Sequence, residues 1–458
     1  MSASLLSFLS PSKIEEKLPA KVLPTAVSSG SVVTFRSRSR YLPTSGTEYT
    51  IPTGSKIVQF RITGNDYLDM SSAVLHFRLD VIAPARPTGA LIQEGIYSII
   101  QRVRASLNSV IVQDTDNTHV CANVKVLNTL PRQVYDSAVG QYMGLYKKSR
   151  DPTVALTYGA TASAIASNIS GFYDGTEATD STNGSSFYIP LSLICSSLGG
   201  MQTFLPLRNV GNFELTLFLE DPSVCFYNPF AGSMTGASYR VSDLSIEVDT
   251  VQLNGSIVQL YDRLSADTSE TGGVVIPVSV DVVQSINYAG SSGQKSVSIS
   301  RGTTALTQIS IVKRDQAQVG TSTAQSLSSF QNFSQTRAQF RLGSRLYPTT
   351  ASDSMARMLT ETAHAYGNLN NLYAGGLVNR ENYENNDNNQ GAYTYAYNFR
   401  RVLTEELGLD GENSIQSGSI VIYDFTDNAG VGTVVLTAII ESLRYVELKG
   451  SAVNVSGL

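Results

Sequence analysis

Three histidines and three cysteines are the side chains in this sequence best suited to metal or nucleophilic chemistry. Their spacing argues against both. His76 falls on the polar face of a strand pattern, His119 at a helix start and His364 near a helix end, with no His-x-x-x-His pair among them. Each reads as a structural histidine. Cys121, Cys195 and Cys225 show no CxxC spacing, and an odd, scattered set reads as reduced, mostly buried thiols. Asp114-Thr115-Asp116-Asn117 alternates like the start of a calcium loop but lacks that loop's Gly and distant Glu, so helix capping is the better reading. Gly199-Gly200 and Gly375-Gly376 are not followed by the Gly-Lys-Ser/Thr of a phosphate loop, and they read as turns. No nucleophile elbow occurs. These residues predict no catalytic group, no cofactor and no metal site.

One charged cluster stands out. Arg36, Arg38 and Arg40 alternate with Phe35, Ser37, Ser39 and Tyr41, which on a strand puts three guanidinium groups on one face. The formal net charge of −5 supplies no global basic field, and three charges alone hold nucleic acid weakly at cellular salt. Contact with acidic residues of a neighbouring subunit is the preferred reading of this face, with genome or anionic lipid as the alternative. Five Asn-x-Ser sequons, at Asn168, Asn183, Asn254, Asn332 and Asn454, are what chance gives in so Ser-rich a chain. The N-terminus has no basic region followed by an apolar core and a cleavage site. No stretch approaches the roughly 18 apolar residues of a membrane span. The expectation is a protein made and assembled inside a cell.

The elements that must position these side chains are mostly strands. Only 16% of residues are charged, so Ser, Thr, Asn, Gln and Gly carry the polar surface, which suits hairpins and long loops. The first residues differ. Leu5, Leu6, Phe8 and Leu9 form an apolar clump, Ser12 and Glu15 make a capping box, and Ile14 and Leu18 fall four apart. This predicts a short helical docking arm over 1–30. Beyond it the period becomes 2, as in Val58, Phe60, Ile62, in Ala73, Leu75, Phe77, Leu79, and in Phe213, Leu215, Leu217, Leu219. Each run has one wet face, the mark of antiparallel sheets. Two internal helices are predicted, over 119–130 and 354–366, the second stopped by Gly367.

The halves repeat in order and spacing. The strand 103–108 leads to the first helix, and 340–346 leads to the second at nearly the same distance. Strands at 212–220 and 239–253 match strands at 417–425 and 433–448. Between the halves lies RLSADTSETGG, 263–273, polar, without periodicity and read as a linker. One sandwich of this length needs a core wider than single cores reach. The reading is all-β: two tandem eight-stranded jelly rolls, over 31–262 and 274–458, with few short helices.

The stretches YTIPTGSKIVQFRITGNDYLDMSSAVLHFRLDV (49–81), RVRASLNSVIVQD (102–114), AQFRLGSRLYPT (338–349) and SLRYVELKGSAVNVSG (442–457) carry a resemblance. In pattern the chain resembles the double-jelly-roll major capsid proteins of tailless icosahedral DNA viruses: the adenovirus, polinton-like, virophage and nucleocytoplasmic large DNA virus lineage. The resemblance implies a homotrimer forming a pseudo-hexagonal capsomer in a virion capsid. Implied partners are further copies of the chain, neighbouring capsomers, minor capsid or penton proteins, and an internal membrane or the genome at the inner face. It also implies that long loops form an outward tower and that the arm lies at the base. Loops 149–186 and 367–392 are the insertion candidates. The second runs into Tyr393, Tyr395 and Tyr397, which read as adaptable contact residues at an exposed or interface surface. A viral spike, a fibre or a carbohydrate-binding β-sandwich exposes such residues too and is the alternative. An enzyme on a jelly-roll scaffold comes third, for want of clustered histidines.

Overall fold

The computed structural model describes residues 32–82, 91–92, 95–135, 137–145, 185–227, 236–269, 272–300, 302–321, 326–368, 376–386, 391–400, 412, 421–427, 430–450 and 452–456. The expected arm, with Leu5, Leu6, Phe8, Leu9, Ile14 and Leu18, and most of loop 149–186 lie outside the described residues.

Alternation of apolar and polar side chains decides the strands. Ile57–Thr63 buries every second residue, Val58, Phe60 and Ile62, and turns Gln59 and Arg61 outward. The first half contributes β1 (Val33–Tyr41), β2 (Ile57–Thr63), β3 (Tyr67–Ile82), β4 (Ile100–Leu107), β5 (Val110–Thr115), β6 (Ser185–Pro190), β7 (Asn212–Leu219) and β8 (Ser238–Leu253). They form two antiparallel sheets, in the orders β1-β8-β3-β6 and β2-β7-β4-β5. Apart from the β4–β5 hairpin, nearest neighbours in a sheet are distant in sequence, which is the double Greek key of a jelly roll.

The second half contributes β9 (Val274–Ala289), β10 (Gly293–Ile299), β11 (Leu306–Asp315), β12 (Arg337–Leu342), β13 (Arg345–Ser352), β14 (Tyr395–Asn398), β15 (Val421–Asp427) and β16 (Thr433–Lys449). Its sheets run β9-β16-β11-β14 and β10-β15-β12-β13. Adding eight to each strand number of the first roll reproduces the second. The predicted pair of eight-stranded jelly rolls is therefore the observed architecture.

The repeat reaches local detail. In each roll the strand seen before the helix is half of a tight hairpin. Leu107 pairs with Val110 across Asn108 and Ser109, both at positive φ. Leu342 pairs with Arg345 across Gly343, at φ 60°, and Ser344. Left-handed turn residues match the right-handed twist of the flanking strands. Each hairpin then feeds a helix: α1 (Thr118–Thr129) after β5, and α3 (Met355–Ala365) after β13. Ser354 caps α3 through the Arg357 amide. Asn117 heads α1 in the left-handed region without a side-chain cap bond, and Asp114 binds Arg102 and Arg104 instead. The capping expected of that acidic stretch is thus not what it does.

A third helix, α2 (Gly255–Ala266), was not expected. Asn254 caps it, and Ile257, Tyr261 and Ser265 are buried at four-residue spacing. Residues 263–266, read as the start of a linker, are its last turn, so the non-helical connection to β9 begins at Asp267. The sequon residues Asn254 and Asn332 serve the fold: the first is this cap, and the second is buried, donating to the Tyr383 carbonyl.

Two apolar clusters fill the sandwiches. The one within the second roll holds a group of rings around the fully buried Phe340, whose centroid lies 5.1 Å from Tyr423, 5.5 Å from Tyr395 and 5.8 Å from Phe399. Offset and edge contacts of this kind add to the area term. Phe340→Ala should lower stability by about 3–5 kcal/mol, read from the chemical-denaturation midpoint, and Phe340→Leu by clearly less. Equal midpoints for the two variants would mean that the loss comes from the missing ring contacts and not from the volume removed.

Candidate assembly surfaces and the junction between the rolls

Arg36, Arg38 and Arg40 lie on β1, an edge strand, and their side chains do share a face. Arg36 and Arg38 do not stand free. The pairing of β1 with β8 sets Arg38 opposite Asp249 and Arg40 opposite Glu247. Arg36 reaches Asp249 at 2.5 Å and Asp69 of β3 at 3.2 Å, and Arg38 reaches Glu247 at 3.1 Å and Asp249 at 3.3 Å. Two of the three guanidinium groups thus meet three carboxylates of the same chain. His76 on β3 lies 3.6 Å from Glu247. Burial holds its imidazole below the ordinary value; Glu247 opposes, while Arg38 and Arg40 push the same way. The face reads as a charge ladder that discourages strand addition at an edge rather than as a basic patch. The preference for pairing with a neighbour's acids is corrected for Arg36 and Arg38 by this register.

The tyrosines expected at a contact surface divide. Tyr393 and Tyr395 are fully buried, and Tyr397 is half-buried. Tyr395 stacks on Phe340, Tyr393 packs on Tyr383, and the Tyr383 hydroxyl donates to the Thr394 carbonyl at 3.0 Å. Their alternation with Thr394 and Ala396 comes from β14 and its approach, so an exposed binding role for Tyr393 and Tyr395 is corrected: they are core. Asn379 and Asn382, in the Asn-rich stretch before them, form a reciprocal capping box on a short helix, α4 (Arg380–Glu384).

Edge strands carry the exposed apolar side chains. Of eight large hydrophobic residues left exposed among the described residues, five lie on edges: Phe35 of β1, Ile57 of β2, Ile111 of β5, Val275 of β9 and Leu346 of β13. Sheet edges with apolar side chains are surfaces that a neighbouring chain can cover.

The junction between the rolls is built around α1, of which eleven of twelve residues are buried. Its lysine, Lys125, pairs with Asp281 of β9. The backbone of Asp281 is held as well: its carbonyl accepts from the Thr115 hydroxyl at 2.6 Å, and its amide donates to Ser196 Oγ at 3.1 Å. Asn123 Nδ2 donates to the Leu327 carbonyl, and Arg444 to the Val112 carbonyl, each across the junction. A small cavity beside the ion pair is lined by Cys121, Gln308, Ser310, Tyr366, Ile439 and Glu441. Burial, then the Asp281 charge, pushes the Cys121 thiol well up, so it stays protonated and is a poor nucleophile. Apolar residues of both rolls join in one cluster here, with Val120 and Leu127 from the first and Val280, Leu377 and Ile439 from the second.

His119, expected to be structural, is buried, its Nε2 3.2 Å from Glu220 and its Nδ1 accepting from the Val120 amide. No group of three or more His, Cys, Asp or Glu able to hold a metal occurs among the described residues. No helix among them is long and apolar enough to cross a membrane.

Two substitutions probe these surfaces. A Cβ at Gly376 would lie 2.4 Å from the Leu127 carbonyl oxygen, which accepts from the Leu377 amide at 2.8 Å. Gly376→Ala should therefore speed amide hydrogen exchange in α1 and at 376–383 while leaving β2 and β7 protected; unchanged exchange in α1 would refute this account of the docking. Asp249→Asn removes the carboxylate shared by Arg36 and Arg38, so the variant should elute from heparin at higher salt than the wild type. Identical elution would show that Asp249 does not mask the arginines.

No protein-family model matches the chain, and no curated protein matches it in sequence. Solved structures do match. A quasi-atomic model of the PBCV-1 virus capsid aligns with a TM-score of 0.58 at 10% identity, covering 92% of this chain and 96% of that one. The Faustovirus major capsid protein gives 0.57 at 9% identity, over 90% of each chain. A chain of the Sputnik virophage structure gives 0.52 at 10% identity, over 93% of this chain and 89% of that one. At such identity the likeness lies in strand order and placement. The chain has the double-jelly-roll fold found in these viral capsid proteins.

Proposed function

We propose that this chain is a viral major capsid protein, which trimerises into pseudo-hexameric capsomers and tiles an icosahedral shell. The observation that carries the reading is the exact repetition of strand order in two rolls held side by side in one chain. Three such chains around a three-fold axis present six similar sandwiches, and closed cyclic symmetry then yields a near-hexagonal tile from one gene product. The likeness to solved capsid proteins over about nine-tenths of the chain supports the same reading. On it, residues 31–262 and 274–458 are the two rolls, the exposed apolar edge positions are subunit contacts, and the arm over 1–30 docks on neighbours. The partners are further copies of the chain, adjoining capsomers and minor capsid or penton proteins. The setting is a virion capsid assembled in the host cell.

Nothing in this reading requires chemistry, and the burial of Tyr393 and Tyr395 removes the aromatic surface on which a glycan-binding alternative rested. The purified chain should run at three times its monomer mass by mass photometry and show a hexagonal outline in negative-stain micrographs. A stable monomer at high concentration that forms neither trimers nor arrays would overturn the proposal.

A further inference from the structure

The most heavily buried charges in the second roll have no part in the surfaces described above. Lys313 on β11 and Asp427, the last residue of β15, have no exposed side-chain area, and Lys313 Nζ lies 3.3 Å from Asp427 Oδ2. The two strands belong to opposite sheets of the sandwich. Aromatic rings enclose the pair: Nζ is 4.8 Å from the centroid of Phe425 and 5.6 Å from that of Tyr393. Two further donors grip the same carboxylate. Lys295 Nζ reaches Oδ1 at 2.9 Å, and the Tyr288 hydroxyl donates to Oδ2 at 2.6 Å.

This arrangement has the parts of an acyl-transfer site, with a nucleophile, a carboxyl carbon, a cation on one oxygen and an acid on the other. We propose that Lys313 and Asp427 condense into an isopeptide bond, a covalent staple between the two sheets of the second roll. In that step the Lys313 nitrogen attacks Asp427 Cγ, with the Lys295 ammonium stabilising charge on Oδ1, the oxygen that stays as the amide carbonyl. The Cγ–Oδ2 bond breaks and Oδ2 departs as water. Of the three ammonium hydrogens of Lys313, one remains on the amide and two leave with that water. Tyr288 relays a proton, giving its own to Oδ2 and recovering one from nitrogen. No oxidant, reductant or external co-reactant is needed.

Charge and burial favour the step. One carboxylate faces two ammonium groups, so only one is compensated. Burial, against the pull of Asp427 and helped by Lys295, brings the Lys313 amine down to about 8, which makes the neutral nucleophile accessible near neutral pH. Burial first, and then its bond to Asp427, pushes the Tyr288 hydroxyl well up, so it holds a proton to give. A neutral amide also suits an apolar enclosure better than an ion pair does. The staple would join residues 114 apart in sequence.

Intact mass and peptide mapping of the denatured, full-length protein test this. The expected mass is that of the sequence less one water. Because Asp-Gly sites lose water too, the decisive readout is a branched tryptic peptide joining 302–314, uncut after Lys313, to 402–444. Lys313→Met should restore the full mass, and Tyr288→Phe should slow the appearance of the branched peptide at least tenfold after folding. Wild-type protein in which 402–444 is recovered only as a linear peptide, with Lys313 open to trypsin, would overturn the inference without touching the capsid reading.

Discussion

Asp281 stands where the two rolls meet, and the arrangement of the molecule depends on how it is held. Its carboxylate meets Lys125, its carbonyl meets Thr115, and its amide meets Ser196. All three partners come from the first roll, and Asp281 itself lies in the first strand of the second. A buried carboxylate with its backbone groups satisfied from one side tolerates little displacement, since each lost bond leaves a desolvated polar group behind. Polar groups fix the register of the junction, while the surrounding apolar cluster supplies its area. The relative placement of the rolls is thereby part of the fold and not left to a linker.

The identity of strand order between the rolls survives with almost no shared sequence. What persists is a set of physical requirements. Two-residue turns at 108–109 and 343–344 need left-handed backbone, the hairpins they close need a helix to cover the end of the sandwich, and the long strands β8 and β16 need an inward apolar face. Residues of many kinds satisfy each requirement. The same holds between this chain and the solved capsid structures, where about one residue in ten is shared over nine-tenths of the length.

The halves solve their cores differently. Both cores are largely aliphatic, but the second contains a contiguous cluster of rings, with Phe340, Tyr395, Tyr423 and Phe425 in contact and a buried lysine at their edge. Tyrosine-rich cores must satisfy hydroxyls, and the partners are near at hand: Gln335 donates to Tyr423, and Tyr383 to the Thr394 carbonyl. This explains why a Tyr-rich stretch that looks like a recognition surface is an interior.

By itself the sequence determined the fold class, the two-part division and the positions of most strands, because a half-buried strand writes its period of two directly into residue order, as Val58, Phe60 and Ile62 show. It also determined that His76, His119 and His364 lie on separate elements. Helix α2 was legible in Ile257, Tyr261 and Ser265, but the polar run after Arg263 masked it. Only the tertiary structure decided the fate of the charges and tyrosines, because partners come from strands far apart in sequence. Arg36 is 213 residues from Asp249, Lys125 is 156 from Asp281, and Lys313 is 114 from Asp427. Local pattern tells which face a side chain is on, but a jelly roll's crossovers decide what lies against that face.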